Sequence, residues 1–584
     1  MESSYSSSMV LTLQHVSIVS RHGVRPPYPP PHANATSYAP WTSKSPPSAA
    51  AWGMTGEAFA TQELTPHGAT ILPRFATWMR AKYAALDESF LPAIGTAASC
   101  SDVVVLADDS KRDWQTAAAF LGGFGCGDLP QDLPTVMVAN VTVLPALRAV
   151  VNDNHRSEDI PSGAASDAIC ARATLEQTSG LLGECALDPL TGAAPVGDTT
   201  SNCLTEEWQR DLDAIQAILV GADTKLTDAA CDAVNGVDPS AVPGTCAFAE
   251  LRTMFTRTYY EGMFTSPVYY AEVFAEAFML QFCSDLPLSE IAFGAFEGIS
   301  EDEVATTISA LFRTHTDVTM ALASNFWNAR SYGSAQLIYI ATSIAQVADG
   351  VSYLSADLLP PGADAVAGVS TAKTRVSLLF CHDTNLLYLR RLLRIEWLAS
   401  GWQSNAASTG GTLAFELWRD ADTKSSFVKV VWAAASPMQQ RSGAVLTLES
   451  PPPSSTLIIP ECGAVECPLD TFLAIVERVV DIGCVETSLK NAFERVAAAH
   501  ASGSGSTPSA ASEQTQEAAA KVPGLTAAVV MLSLLVAALL GGIILGGTLA
   551  GVWWLRGKKR DAFAAQHAPA VSDAGQSDYA SMKT

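Results

Sequence analysis

From Val522 to Leu555 the chain carries no charged residue, and its stretch "LTAAVVMLSLLVAALLGGIILGGTLAGVWWL" is almost wholly apolar. About 20 such residues span a bilayer, so this run reads as one transmembrane helix, long enough to tilt. Trp553 and Trp554 stand at its end, where interfacial aromatics belong. Arg556, Lys558, Lys559 and Arg560 follow at once, which puts that end in the cytosol and the preceding body in a lumen or outside the cell. The expected arrangement is single-pass type I: a Ser/Gly/Ala-rich linker at 501–523, the helix at 524–555 and a polar cytosolic tail at 556–584. Within the tail, Tyr579 to Met582 fits the tyrosine-plus-bulky-apolar signal read by sorting adaptors. A type I protein needs a signal peptide, and "MESSYSSSMV" has neither a basic n-region nor an apolar h-region. A signal segment upstream of Met1 is therefore expected.

Cysteine usage agrees with this orientation. There are 12 cysteines, no C-x-x-C, and no Cys/His spacing that fits a zinc site. Disulfides in an oxidising compartment are the simpler reading. Two N-glycosylation triplets, starting at Asn34 and Asn140, point the same way. The formal net charge of −24 argues against nucleic acid as a partner.

The body reads as mixed α/β. "VLTLQHVSIV", "DVVVLA", "VSLLF" and "VKVVWA" predict strands, and "TILPRFATWMRAKYAAL", "YYAEVFAEAFMLQF" and "EVATTISALF" predict helices. The segment 146–320 has mostly helical and loop signals. It is taken as a mainly helical cap insertion between two parts of an α/β core, 10–145 and 321–500.

Three motifs each follow a predicted strand: Arg21-His22-Gly23-Val24-Arg25-Pro26, then Arg112 after "VVVLADDSK", then His382-Asp383 after "VSLLFC". Ligands in open α/β sheets bind beyond the carboxyl ends of strands, so these residues should meet in one crevice. Like charges crowded there call for an anion. Three guanidiniums match the oxygens of a phosphoryl group. A neutral imidazole is a good nucleophile at phosphorus, and a carboxyl group supplies the leaving oxygen's proton. No metal or other cofactor is required, because arginines supply the positive charge.

R-H-G-x-R-x-P followed by a distant H-D resembles the histidine acid phosphatases, branch 2 of the histidine phosphatase superfamily. The bacterial periplasmic phytase and glucose-1-phosphatase group is the nearest likeness. His382-Asp383-Thr384-Asn385, "GGTLAFELW" from Gly410 and "ELTPHG" from Glu63 extend it over about residues 10–490. The helix and tail resemble protozoan membrane-bound acid phosphatases. The resemblance implies a mostly parallel central sheet between helices, with a helical cap. It implies His22 as nucleophile, Asp383 as proton donor, and Arg21, Arg25, Arg112 and His382 as the phosphate clamp. Glu276 resembles a cap-helix glutamate lining the substrate pocket. Tyr332 and Pro29 stand where phytases of the group carry cations. The family's R-T-x-x-[ST]-A pattern has Asp113 in place of its Thr, and Cys381 replaces the glycine before H-D.

The expected function is an acid phosphomonoesterase acting on small phosphate monoesters. A phytase is the main alternative, and an inactive receptor-like member or a phosphoryl-transferring mutase are further ones. A similar pair in the periplasmic phytases implies Cys100–Cys126. Sequence proximity suggests Cys462–Cys467 and Cys185–Cys203. Cys231–Cys246 and Cys170–Cys484 complete the map, leaving Cys283 and Cys381 reduced and buried. His15 is expected to be structural and His67 to be solvated or capping. His155, His315, His500 and His567 have no partner motif in the sequence.

Overall fold

The computed structural model describes residues 11–32, 35–36, 38, 41–91, 100, 102–108, 110–126, 206–221, 224, 267–323, 326–354 and 369–503. They lie in the first of two compact units, 1–502, with Gly503 closing its last helix. Residues 501–503, expected to open the linker, instead end a helix; the rest of the linker, the apolar run, the tail and the asparagines of both glycosylation triplets fall outside the described residues. Among the described residues no helix is long and apolar enough to cross a membrane.

The strands are β1 (Leu11–Arg21), a two-residue ribbon of β2 (Pro31–His32) and β3 (Ala35–Thr36), β4 (Val103–Ala107), β5 (Val376–Cys381), β6 (Thr412–Asp420), β7 (Ser426–Ala433), β8 (Ser454–Leu457) and β9 (Cys467–Pro468). The helices are α1 (Gly56–Ala60), α2 (Pro66–Leu86), α3 (Lys111–Gly123), α4 (Glu206–Val220), α5 (Pro267–Cys283), α6 (Glu301–Ala323), α7 (Phe326–Asp349), α8 (Asp383–Leu393), α9 (Pro437–Arg441), α10 (Leu469–Val479) and α11 (Thr487–Gly503). Within 146–320 the described segments are α4, α5 and most of α6, with one 3-10 turn at Ile291–Gly294.

One sheet runs β4-β5-β1-β6-β7-β8, with β9 also on β7. Successive side chains of a strand face opposite ways, so each central strand serves two cores. Leu378 and Phe380 of β5 pack with α2 and α3, while Leu379 and Cys381 pack with the helices on the other face. β5 is buried throughout, as a strand covered on both faces must be.

The expected mostly parallel sheet is corrected. Only β4-β5 and β5-β1 are parallel; β1-β6, β6-β7, β7-β8 and β7-β9 are antiparallel. For the β6-β7 pair the reason is the connection length. Only the short turn 421–425 separates β6 from β7, and a parallel pair needs a crossover of a dozen or more residues.

The parallel half positions the site. Arg21 is level with Cys381, and Ala107 with Phe380. The residues that follow, His22, His382 and Asp108, therefore leave the sheet side by side. His22 N–H donates to Cys381 O (2.9 Å), and Asp108 N–H to Phe380 O (3.0 Å).

Candidate active site

His22 is buried at the end of β1. Its backbone is held from both sides, with Gly410 N–H donating to its carbonyl at 3.0 Å. The ring Nδ1 lies 2.9 Å from Gly23 O, so Nδ1 carries the proton and donates it in a hydrogen bond to that carbonyl, which leaves Nε2 as the basic nitrogen. Burial, then the charges of Arg112, Arg21, Arg25 and His382, hold the imidazole well below its ordinary pKa, so it is neutral. The loop around it is tight. A Cβ at Gly23 would come within 2.7 Å of Leu64 and 2.8 Å of Leu72. Gly23 N–H donates to Thr116 Oγ1 of α3 at 3.0 Å. Thr65, the N-cap of α2, donates its backbone N–H to Val24 O (2.9 Å) and accepts Gly68 N–H. The "LTPHG" turn thus buttresses the loop that carries His22.

Two arginines face two carboxylates. Arg21 donates to Ala407 O (2.8 Å) and Glu276 Oε1 (2.6 Å), and its Nη2 lies 2.9 Å from Asp383 Oδ2. Arg25 donates to both oxygens of Glu276 at 3.2 Å and lies over the Tyr28 ring. The Nε atoms of Arg21, Arg25 and Arg112 are buried without a hydrogen-bond partner. Burial favours the neutral form of Glu276, but Arg25, His315 and Arg21 outweigh it and bring its pKa down to about 2. Asp383 follows the same logic: burial opposes its charge, and Arg21, His315 and His22 nevertheless hold it well below the carboxylate range.

Behind Asp383 stands His315, which the sequence offered no reason to choose. Its Nδ1 lies 2.6 Å from Glu272 Oε1 and its Nε2 3.7 Å from Asp383 Oδ2. Burial opposes charging the ring, yet Asp383, Glu272 and Glu276 raise its pKa to about 9. Burial pushes Glu272 itself upward.

On the other side, His382 caps α8 and its backbone N–H donates to Asn385 Oδ1 at 3.1 Å. The ring Nε2 lies 2.7 Å from Asp108 Oδ2 and 3.7 Å from Asp113 Oδ2, and Nδ1 lies 3.4 Å from Arg112 Nη2. The His22 and His382 rings meet edge to face, 5.5 Å apart. Arg112 also donates to the Tyr28 hydroxyl at 3.3 Å.

The structure thus brings together His22, Asp383, Arg21, Arg25, Arg112, His382 and Glu276. Tyr332 is buried in the aromatic packing of α7 on α8, 5.8 Å from the Tyr388 ring. Sequence reasoning missed Asp108, Glu272 and His315, and marked Asp113 only as a departure from the resembled motif. For Asp108 the signal was its place directly after a predicted strand. Two trios could offer ligand atoms to a cation, Asp108-Asp113-His382 and Glu276-His315-Asp383. Arg112 borders the first and Arg21 the second, and their guanidiniums repel a cation.

His15 is structural as expected, between Thr374 O and Ser17 Oγ, each at 2.8 Å. Cys100–Cys126 and Cys462–Cys467 are disulfides, and Cys283 and Cys381 are buried thiols outside any disulfide. Cys484 is disulfide-bonded. The pairs Cys185–Cys203 and Cys231–Cys246, and Cys170, lie outside the described residues.

Comparison with known proteins bears out the resemblance. The profile of the histidine phosphatase superfamily (branch 2) matches residues 12–172, the stretch that carries His22 and Arg112. The chain is similar to that superfamily. Glucose-1-phosphatase of Providencia rettgeri is 33% identical over 81 residues, covering 14% of this chain and 19% of that protein. Phytase AppA of Escherichia coli (strain K12) is 33% identical over 92 residues, covering 16% and 21%. The matched stretches thus span about a fifth of each curated relative. The phytase of Citrobacter braakii superposes with a TM-score of 0.55 at 20% identity, over 82% of this chain and 100% of that one. Hafnia alvei phytase in complex with tartrate gives 0.54 at 21% identity, over 82% and 99%. At such identities the likeness shows the shared fold.

Proposed function

We propose that this chain is an acid phosphomonoesterase that works through a phosphohistidine on His22. The observation that carries the reading is a neutral imidazole, its proton fixed on Nδ1, among Arg21, Arg25 and Arg112. The substrate's phosphate takes the guanidiniums, with His382 beside it. Nε2 of His22 forms the bond to phosphorus while the ester P–O bond breaks. Asp383 gives a proton to the leaving oxygen. Water then attacks the phosphohistidine and returns its proton to Asp383.

Asp383 is ionised before substrate arrives, so its proton must come with the substrate. A phosphate monoester at acid pH is a monoanion. Three arginines favour its dianion, and the released proton passes to Asp383 once phosphate has taken over Arg21. This step ties the acid pH range to the geometry.

Rapid quenching with labelled p-nitrophenyl phosphate at pH 5 tests the reading. Wild type should carry acid-labile phosphate on histidine, and His22→Ala should carry none. Equal labelling of both refutes it.

A second reading, an inositol-phosphate phosphatase, draws on the short match to Escherichia coli phytase. Pro29 and Tyr332, where the resembling phytases carry cations, favour the broader monoesterase. Relative rates on p-nitrophenyl phosphate, glucose 1-phosphate and phytate at pH 5 separate the two. The reading also places the body on the lumenal or extracellular side of a membrane. It rests there on the apolar run, its basic flank and the disulfides. Protease protection of sealed vesicles, with the body digested only after permeabilisation, is the expected result.

A further inference from the structure

Asp113 takes no part in the reaction above, yet it is fully buried beside the phosphate clamp. Its Oδ2 accepts a hydrogen bond from Ser110 and lies 3.7 Å from His382 Nε2. That imidazole nitrogen already has Asp108 Oδ2 at 2.7 Å. Oδ1 of Asp113 is buried without a hydrogen-bond partner. Oxygens of both aspartates and a nitrogen of His382 lie within 4.8 Å of one another. One N–H thus faces two carboxyl groups, and only Asp108 engages it closely. Two like charges this close in a dry site disfavour double ionisation.

We infer that Asp113 is a positioning residue that sets the upper pH limit of phosphate binding at this site. The inference rests on the phosphate site proposed above. While protonated, Asp113 leaves the clamp's positive charge intact. When it ionises, a second negative charge stands behind His382 and beside Arg112, whose Nε lies 3.9 Å from Oδ2. Arg112 and the His382 N–H are then held toward the protein and repay less to a bound phosphate. The groups facing Asp113 are Asp108 from the end of β4, Ser110 and Arg112 from the start of α3, and His382 from the cap of α8. Burial is the largest influence on its pKa. With Asp108 it outweighs the pull of His382, Arg112 and Ser110, and brings Asp113 up to about 6.

The test is titration of inorganic phosphate into the full-length protein in detergent, from pH 5 to 7.5, by calorimetry. Phosphate's own ionisation is common to all variants and cancels between them. Asp113→Asn removes the charge and keeps the size. Its affinity should hold up better as pH rises, so that relative to wild type it gains roughly tenfold by pH 7.5, the factor for one pKa unit of coupling. Ser110→Ala keeps the aspartate and removes the donor to its ionised form. It should move the loss of affinity to higher pH, and it answers the question even where Asp113→Asn fails to fold. Parallel pH profiles for wild type and Asp113→Asn, a downward shift in Ser110→Ala, or no phosphate binding at any pH would overturn the inference. Because binding is read without turnover, a wild type that binds phosphate in this pH-dependent way but forms no phosphohistidine would sink the catalytic reading alone.

Discussion

The placement of single protons decides what His22 and Asp383 can do. Asp383→Asn keeps the shape and loses the transferable proton. On an alkyl phosphate kcat should fall by about 10²–10⁴, and on p-nitrophenyl phosphate, whose leaving group needs little help, by much less. Equal losses on both substrates would remove Asp383 from the proton-donor role. Glu276→Gln leaves Arg21 and Arg25 facing one carboxylate fewer in a buried site. Breaking such a pair costs about 3–5 kcal/mol, so the variant should melt earlier, and added phosphate should raise its Tm more than that of wild type. His315 supplies a pH signature. Its folded pKa, about 9, lies above the unfolded value near 6.5. Its stabilising contribution, on the order of 3 kcal/mol, is therefore fully present below pH 6.5 and lost as pH rises through 9. Denaturant titrations of wild type and His315→Gln should converge over that window; a constant difference up to pH 10 contradicts the assignment. The sequence made His22, Arg21, Arg25, His382 and Asp383 legible because each motif is contiguous and follows a strand. His315 and Glu272 meet only through the packing of α6 on α5, which no local pattern announces.

At the level of elements, three parallel strands ending in register do the positioning, and α2 supports the loop they feed. A Cβ at Gly68 would sit 2.8 Å from Val24 O and 3.2 Å from Val24 N, both backbone atoms that cannot step aside. Gly68→Ala should push the nucleophile loop off α2, lowering Tm by the equivalent of about 1–3 kcal/mol and raising KM. An unchanged KM would show that the loop holds its place without this turn. The strands were readable from β-branched runs, and the helix start at "LTPHG" from its resemblance to the family's motif. Their directions were not. For β6 and β7 the direction follows from connection length, and the short turn 421–425 carried that information without being used. The acidic lining behind His382 was half seen. Asp113 stood out as a departure from the resembled motif, while Asp108 stands in a run of polar residues that looks like an ordinary solvated loop until β4 and β5 are paired.

Across the whole molecule, the Cys100–Cys126 bridge encloses β4 and α3, the unit that carries Asp108, Arg112 and Asp113. With a separation of 26 residues, its loop closure is worth about 3–4 kcal/mol. Replacing both cysteines by alanine should lower Tm and weaken phosphate binding together; a change in Tm alone would mean that the unit keeps its geometry unaided. The pairing of Arg21 and Arg25 with Glu276 and Asp383 has a consequence at this scale. These cations arrive with internal counter-ions, so the site works as an ion exchanger rather than as a basic patch displayed to solvent. Its contacts lie where salt screens little, while the chain outside them carries a net −24 and repels an approaching phosphate ester. Added sodium chloride should therefore raise kcat/KM modestly by screening that far-field repulsion, the reverse of an enzyme that draws its substrate in with exposed lysines. A steep fall of kcat/KM with salt would mean that capture depends on cations at the surface.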